Sequence, residues 1–318
     1  MTSVFIDGEA GTTGLQIRDR LRSRSDVTLV SIDSERRKDS NARRELLNSA
    51  DVAILCLPDD AARDAVGLIG KDSKTRVIDA SSAFRVSPDW VYGFPELSRT
   101  QPAKIAAAKC VSNPGCYPQG LIATVKPLID AGIMPASYPI AYNAVSGYSG
   151  GGRKMIEDYE AQGGNAIGYL PYGLTFNHKH LGEMKSHAGL ERFPLFQPAV
   201  GNFAQGMLGA VPVFIDRLTK KVSGETIRDC LAAAYEGSAF IEVAPVASTE
   251  RSSDVNPQAL NNTNRMRLHV FANAAHGHAL LVSVYDNLGK GASGSAVQNL
   301  NLMIGADEKL GVDLNLAA

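Results

Sequence analysis

Cys116 stands in the stretch SNPGCYPQG (112–120), after Pro114-Gly115 and before YPQGLIATVKPLIDAG (117–132), which reads as a helix. Asn113-Pro114-Gly115 must form a turn, and Pro118 suits a first helical turn because its missing N–H has no partner to lose there. The thiol is therefore expected at or just before a helix N-terminus, a setting that stabilises thiolate and lowers its pKa below the free value of about 8.5. Backbone N–H groups at that end, with the Asn113 amide, suit an oxyanion. The alternative is a buried thiol in a tight turn. The other three cysteines look different. Cys56 is expected inside a strand and Cys230 in the helix-like TIRDCLAAAYEG, both as small buried hydrophobes, and Cys110 in a short strand.

A cysteine nucleophile working with a dinucleotide suggests one chemistry above others. The thiolate attacks an activated acyl carbon, such as an acyl phosphate, to give a thioester, and nicotinamide exchanges hydride with that carbon. The tetrahedral adduct then needs a proton, for which histidine is suited. The six histidines are His178, His180, His187, His269, His276 and His278, and FNHKHLGE (176–183) holds two of them beside Glu183. On a strand, His178 and His180 would share a face. With His276 and His278 they would make a second possibility, a zinc site. No cysteine falls beside either pair and hydride transfer needs no metal, so none is assigned.

A hydride source needs a fold to hold it. SVFIDG, VTLVSID, ADVAILCLP and TRVIDAS read as strands within the first 81 residues, separated by helical spacing at LQIRDRLRS and DAARDAVGLIG. Strands alternating with helices give an α/β class and a doubly wound parallel sheet. The first turn is Gly8-Glu9-Ala10-Gly11-Thr12-Thr13-Gly14, which is GxxGxxG rather than GxGxxG. Its glycines allow close approach of a pyrophosphate to a helix N-terminus, although such a turn can also bind nothing. After the second strand, Asp33 suits a ribose 2′-hydroxyl, as for NAD, whereas Arg36, Arg37 and Lys38 suit a 2′-phosphate. The cations favour NADP over an ordinary solvated loop.

Five segments occur in order: IDASSAFRVSPDWVYGFPEL (78–97), SNPGCYPQG, NAVSGYSGGGRK (143–154), FNHKHLGEM (176–184) and DNLGKGASGSAVQNLNLMIG (286–305). Together they resemble the N-acetyl-gamma-glutamyl-phosphate reductase family, in its shorter type, a relative of the aspartate-semialdehyde dehydrogenases. The resemblance implies a Rossmann-type domain over residues 1–115, completed by a C-terminal helix within about 289–318. An α+β catalytic and dimerisation domain over 116–288 follows. It implies NADPH-dependent reduction of N-acetyl-glutamyl 5-phosphate to the semialdehyde in arginine biosynthesis. The catalytic set is Cys116, His178 and Asn113. Substrate contacts are Ser146, Ser149, Arg153, His180, Glu183 and Arg85. Arg85 also reads as a structural ion pair, and the SGYSGGGRK turn as a plain flexible loop. Cofactor contacts are Gly8, Gly11, Thr12, Thr13, Gly14, Ser34, Arg36, Arg37, Pro58, Ser81, Ser82, Asn287, Gly289 and Gly291. Longer family members place an arginine near Gln205-Gly206, and no role is carried onto Gln205. An aspartate-semialdehyde-type dehydrogenase and a non-catalytic dinucleotide-binding regulator are the competing readings.

The whole chain sets wide bounds. Its 318 residues suit two domains, and 44% hydrophobic with 20% charged residues suits a globular protein with a core. A net charge of -1 gives no electrostatic case for nucleic acid. No apolar run reaches the ~20 residues of a membrane span, and no signal peptide is read at MTSVFIDGEAGTTG. Four cysteines without framework spacing suit free thiols in a reducing cytoplasm. The expected partners are the small-molecule substrate and further copies of the chain, as a homodimer or homotetramer.

Overall fold

The computed structural model describes residues 1–37, 39–246 and 255–314. Lys38 and the side chain of Ser34 lie outside the described residues. The chain divides into two compact units: 1–95, 100–114 and 292–318 form the first, and 96–99 with 115–291 form the second.

The first unit is built on β1 (Thr2–Asp7), α1 (Thr12–Leu21), β2 (Val27–Val30), α2 (Ser40–Ser49), β3 (Val52–Leu55), α3 (Asp59–Leu68) and β4 (Arg76–Asp79). β5 (Val91–Tyr92), α4 (Gln101–Ala107) and β6 (Cys110–Ser112) follow. The strands form one parallel sheet in the order β2-β1-β3-β4-β6-β5. All four residues of β3 are buried, as an all-apolar strand covered on both faces should be.

Two strand expectations need correction. The second strand closes at Val30, not Asp33, because Asp33 caps a 3₁₀ turn, Ser34–Arg36, accepting from the Glu35 N–H at 3.3 Å. Cys56 lies one residue past β3, where its N–H donates to the Asp7 carbonyl at 2.7 Å. Desolvation, with Asp79 and Asp7 nearby, pushes its thiol up to about 12, so it stays protonated.

The second unit begins with α5 (Cys116–Asp130) and continues through β7 (Ala141–Gly147), α6 (Arg153–Gln162), β8 (Tyr169–Pro171), α7 (Leu181–Ala188), β9 (Leu195–Gly201) and β10 (Met207–Phe214). α8 (Gly224–Ala234), β11 (Ile241–Val243), β12 (Met266–Asn273) and β13 (His278–Tyr285) complete it. Its mixed sheet runs β11-β12-β13-β10-β7-β9-β8. His178 and His180 are not on a strand. β8 ends at Pro171, Phe176 takes a φ of 55°, and the His178 carbonyl accepts the Leu181 N–H at 3.0 Å, turning the chain into α7.

α5 is buried almost all round, from Tyr117 to Val125 and again at Pro127 and Leu128. Pro127 has no N–H for the Ala123 carbonyl four residues back. The Tyr235 hydroxyl donates to that carbonyl instead, at 2.8 Å. A π-turn, Gly289–Ser293, leads into α9 (Gly294–Ile304). Within the second unit, Lys290 of that turn is fully buried and pairs with Glu96 at 2.7 Å, its ammonium 5.4 Å from the centre of the Phe240 ring. Breaking such a buried pair by removing one partner costs about 3–5 kcal/mol.

α9 belongs to the first unit. Arg20 donates to the Ser293 hydroxyl at 3.1 Å, Arg24 to the Asn301 side chain, and Arg76 to the Met303 carbonyl. Val297 and Leu300 have no exposed surface. Among the described residues, no helix is long and apolar enough to cross a membrane.

Candidate active site

Cys116 is the first residue of α5 and is half-buried. Gly115, at the N-cap, is extended (φ -70°, ψ 152°) and brings no side chain to the first-turn donors of Cys116, Tyr117 and Gln119. The helix end therefore points N–H groups and positive dipole at the thiol's surroundings. The N–H of Gly115 donates to Glu183 Oε1 at 2.7 Å. Glu183 is 2% exposed, in the first turn of α7, so it ties the cysteine turn to the histidine turn. That contact gives Glu183 an orienting part.

The two histidine rings sit 4.6 Å apart between centroids, and each lies about one ring from Tyr117, at 6.2 Å for His178 and 6.1 Å for His180. His178 is half-buried and His180 is buried. Tyr172 and Phe196 close on His178 at 5.8 and 5.1 Å. Burial, with a smaller push from Lys179, lowers the His178 pKa to about 4. His178 Nδ1 accepts the His180 backbone N–H at 3.2 Å. A neutral ring accepting at Nδ1 carries its proton on Nε2.

Ser146, near the end of β7, and Ser149, in the turn after it, are buried, and Arg153 is exposed at the head of α6. The Ser146 hydroxyl donates to the Gly147 carbonyl at 3.1 Å. Asn287 braces this turn: its Nδ2 donates to Ser149 Oγ at 3.0 Å and its Oδ1 accepts the Gly206 N–H at 2.8 Å. Next to it, buried Asp286 accepts from the Gln205 side chain and from the N–H groups of Asn262 and Leu288. Burial raises the Asp286 pKa and these bonds oppose the rise. Gln205 thus serves the Asp286 carboxylate. In the π-turn, the Gly291 N–H donates to the Asp286 carbonyl at 2.8 Å.

The first unit holds the glycine turn. Gly8 takes a φ of 87°, and a Cβ there would stand 2.3 Å from the Cys56 carbonyl oxygen, so only glycine fits. Gly11 N-caps α1 without a side-chain bond, and Thr12 and Thr13 open the helix. A cavity of about 300 Å³ lies over this turn, lined by Gly8, Glu9, Ile32, Arg37 and Arg43 among others. A glycine cradle, an open helix N-terminus and two guanidinium groups fit a phosphate-bearing dinucleotide. The predicted cations part company here. Arg37 lines the cavity, while Arg36 turns to Asp39 at 3.4 Å. Arg43, on α2, was not found from sequence; it pairs with buried Asp7 at 2.7 Å. Its signal was an acidic residue ending a buried strand, which needs a cation.

The other predicted positions of this unit form a brace. Pro58 N-caps α3. Ser82 gives its N–H and hydroxyl to Asp59 at 2.9 and 2.6 Å, and the Ser81 hydroxyl donates to Asp79 Oδ2 at 2.6 Å. Asp79 was also missed. It is fully buried, and burial raises its pKa to about 6. Buried Arg85 donates to the carbonyls of Asn113 and Ala80, both at 3.0 Å. Asn113 Nδ2 donates to the Ala292 carbonyl at 3.0 Å, and Asn113 Oδ1 accepts from Asn299 at 3.1 Å. Arg85 and Asn113 thus fix the chain three residues before the cysteine. Among the described residues, no group of three or more possible metal ligands gathers.

Residues 3–105 match the family described as semialdehyde dehydrogenase, NAD binding domain, and residues 116–287 the one described as semialdehyde dehydrogenase, dimerisation domain. A protein of Chelativorans sp. (strain BNC1) named N-acetyl-gamma-glutamyl-phosphate reductase is 59% identical, over 95% of this chain and 97% of its own. One from Nostoc sp. (strain PCC 7120 / SAG 25.82 / UTEX 2576), named N-acetyl-gamma-glutamyl-phosphate reductase 2, is 52% identical over 97% and 98%. Among solved structures, aspartate semialdehyde dehydrogenase II from Vibrio cholerae, complexed with ASA, superposes with a TM-score of 0.69 at 17% identity, covering 96% of this chain and 98% of that one. That likeness is one of fold. Two domain families in sequence order, and relatives this similar over nearly the full length, place the chain in the semialdehyde dehydrogenase family, among the N-acetyl-gamma-glutamyl-phosphate reductases.

Proposed function

We propose that this chain reduces N-acetyl-gamma-glutamyl phosphate to its semialdehyde with NADPH, in arginine biosynthesis, through a thioester on Cys116. The observation that carries the reading is Cys116 on the first turn of α5, with His178 against the adjoining Tyr117. The thiolate attacks the acyl carbon; the C–S bond forms, the C–O bond to phosphate breaks, and phosphate leaves. N–H groups of the first turn stabilise the oxyanion of that step. The glycine turn, Arg37 and Arg43 hold NADPH, whose nicotinamide, when bound, supplies a hydride to the thioester carbon. His178 Nε2–H donates to the oxygen that gains charge as the thioester is reduced. The adduct collapses by breaking the C–S bond, which releases the aldehyde and regenerates the thiolate. Arg153 and the Ser146–Gly152 turn offer a fork and N–H groups to the substrate's anionic ends. Glu183, Asn113 and Arg85 orient the turns.

The units of function are proposed to be homodimers or homotetramers in the cytoplasm. The dimerisation description of residues 116–287 supports the first, as do Tyr169 and Leu170, exposed on the edge strand β8. The four free thiols support the second.

The test is Cys116→Ser. Phosphate-dependent NADP reduction with N-acetylglutamate semialdehyde is expected to be almost abolished while NADPH binding, read by fluorescence, persists. Wild-type turnover in the variant would overturn the thioester on Cys116, and NADPH binding without turnover in the wild type would leave a non-catalytic binding protein. A wild-type preference for aspartate semialdehyde would move the substrate assignment to the other dehydrogenases.

A further inference from the structure

Tyr285 ends β13 with no exposed surface. Its hydroxyl donates to the Cys116 carbonyl at 2.7 Å and accepts the Gly120 N–H at 3.2 Å. Those are the two groups that an uninterrupted α-helix joins directly, residue i and residue i+4. The phenol therefore stands at a hydrogen bond of the first turn of the nucleophile's helix. Burial and neighbouring Tyr142 push its pKa well up, so the hydroxyl keeps its proton and remains a donor.

Residue 120 is shaped for this approach. A Cβ there would meet Tyr285 Oη and Tyr142 Oη at 2.8 Å and Ser283 Oγ at 2.4 Å. Only glycine lets the hydroxyls reach the helix backbone. The segment after Tyr285 closes on Cys116 itself. A methyl group on Gly291 would stand 3.1 Å from Cys116 Cβ. Strand end and π-turn together leave the cysteine little freedom.

We infer that Tyr285 is a positioning residue for the nucleophile: its hydroxyl, held between the Gly120 N–H and the Cys116 carbonyl, sets the backbone of the first turn and with it the direction of the Cys116 thiol. The inference rests on reading Cys116 as the nucleophile. The helix N-terminus acts on the thiol only while the first turn keeps its geometry, and small displacements of a reacting atom are costly in rate.

The experiment compares Tyr285→Phe with Tyr235→Phe. Tyr235 donates to the Ala123 carbonyl of the same helix, far from the cysteine, so the second variant removes an equivalent hydrogen bond without touching the first turn. Alkylation of Cys116 by iodoacetamide, mapped by mass spectrometry, is followed against pH beside steady-state kinetics. Y285F is expected to move the alkylation profile to higher pH and to lower kcat about tenfold with KM changed less than about twofold. Y235F is expected to keep the wild-type profile. Superposable profiles for Y285F and wild type, or equal displacement in both variants, overturn the inference. If Y285F fails to fold, 3-fluorotyrosine placed at 285 provides a stronger donor. It should move the profile to lower pH, and an unmoved profile overturns the inference. Activity in Cys116→Ser, by contrast, removes the nucleophile reading and leaves the alkylation result standing on its own.

Discussion

His178 shows how far surroundings change a side chain of familiar chemistry. Histidine ordinarily titrates near neutrality and serves as a proton donor in its charged form. Here burial, with a smaller push from Lys179, holds the ring neutral down to about pH 4, with Nδ1 occupied by the His180 N–H. The ring then acts as a fixed hydrogen-bond donor at Nε2. The sign follows from linkage. As pH falls from about 6.5 to 4, the unfolded chain takes up a proton that the folded ring refuses, so this residue's contribution to stability falls with pH over that window. His178→Ala should lower kcat by about 10²–10³-fold, the usual effect of losing one donor to an oxyanion. The ring C–H resonances of His178 should stay flat from pH 8 to about 5 by NMR. An inflection near the ordinary histidine value, lost in the variant together with an acid limb of kcat, would return His178 to the role of full acid.

At the scale of elements, the cavity over the glycine turn separates two neighbouring arginines. Arg36 closes a 3₁₀ turn and faces Asp39, whereas Arg37, one residue on, lines the cavity with Arg43 of α2. Arg37→Ala should weaken NADPH binding about 10–100-fold and leave NADH binding within about twofold, the effect of one charged hydrogen bond to phosphate. Arg36→Ala should change both little. Isothermal titration of each variant checks this, and equal losses in the two would contradict the geometry. The cation run was legible in the sequence, but its direction was not, because a three-residue turn decides which side chain faces inward. The alternation of β1, α1, β2, β3, α3 and β4 was legible from periodicity, since buried parallel strands are apolar throughout. The two-residue strand β5 and the π-turn carry no such pattern. The His-x-His spacing read as a strand face because alternation looks alike in any extended segment; β8 has already ended at Pro171, and the chain then turns, with Phe176 at positive φ, into α7. Cys116 at a helix start was legible because Pro114-Gly115 and Pro118 leave few alternatives, whereas Tyr285 lies 169 residues away and has no local signal.

At the scale of the whole molecule, the first unit is discontinuous. Residues 292–318 come after the entire second unit in the chain, yet α9 lies with the first and supplies buried Val297 and Leu300 and acceptors for Arg20, Arg24 and Arg76. Residues 1–114 expressed alone should give no cooperative melt and no NADPH binding by calorimetry. The same residues joined to 292–318 by a short flexible linker should regain both. A folded, binding 1–114 fragment would make α9 dispensable.

That chain order has a consequence for synthesis. A ribosome delivers the parallel sheet first, but α9, which belongs on it, is among the last segments made. During the interval the sheet's apolar surface lacks part of its cover, and the second unit has all its residues before the first does. Domains generally fold as they emerge, and exposed strands are prone to aggregate. A chain stalled or cleaved ahead of residue 292 would offer chaperones and proteases an unfinished nucleotide domain beside a finished catalytic one. Late placement of α9 thus acts as a check on length: the cofactor unit matures only in chains translated through it.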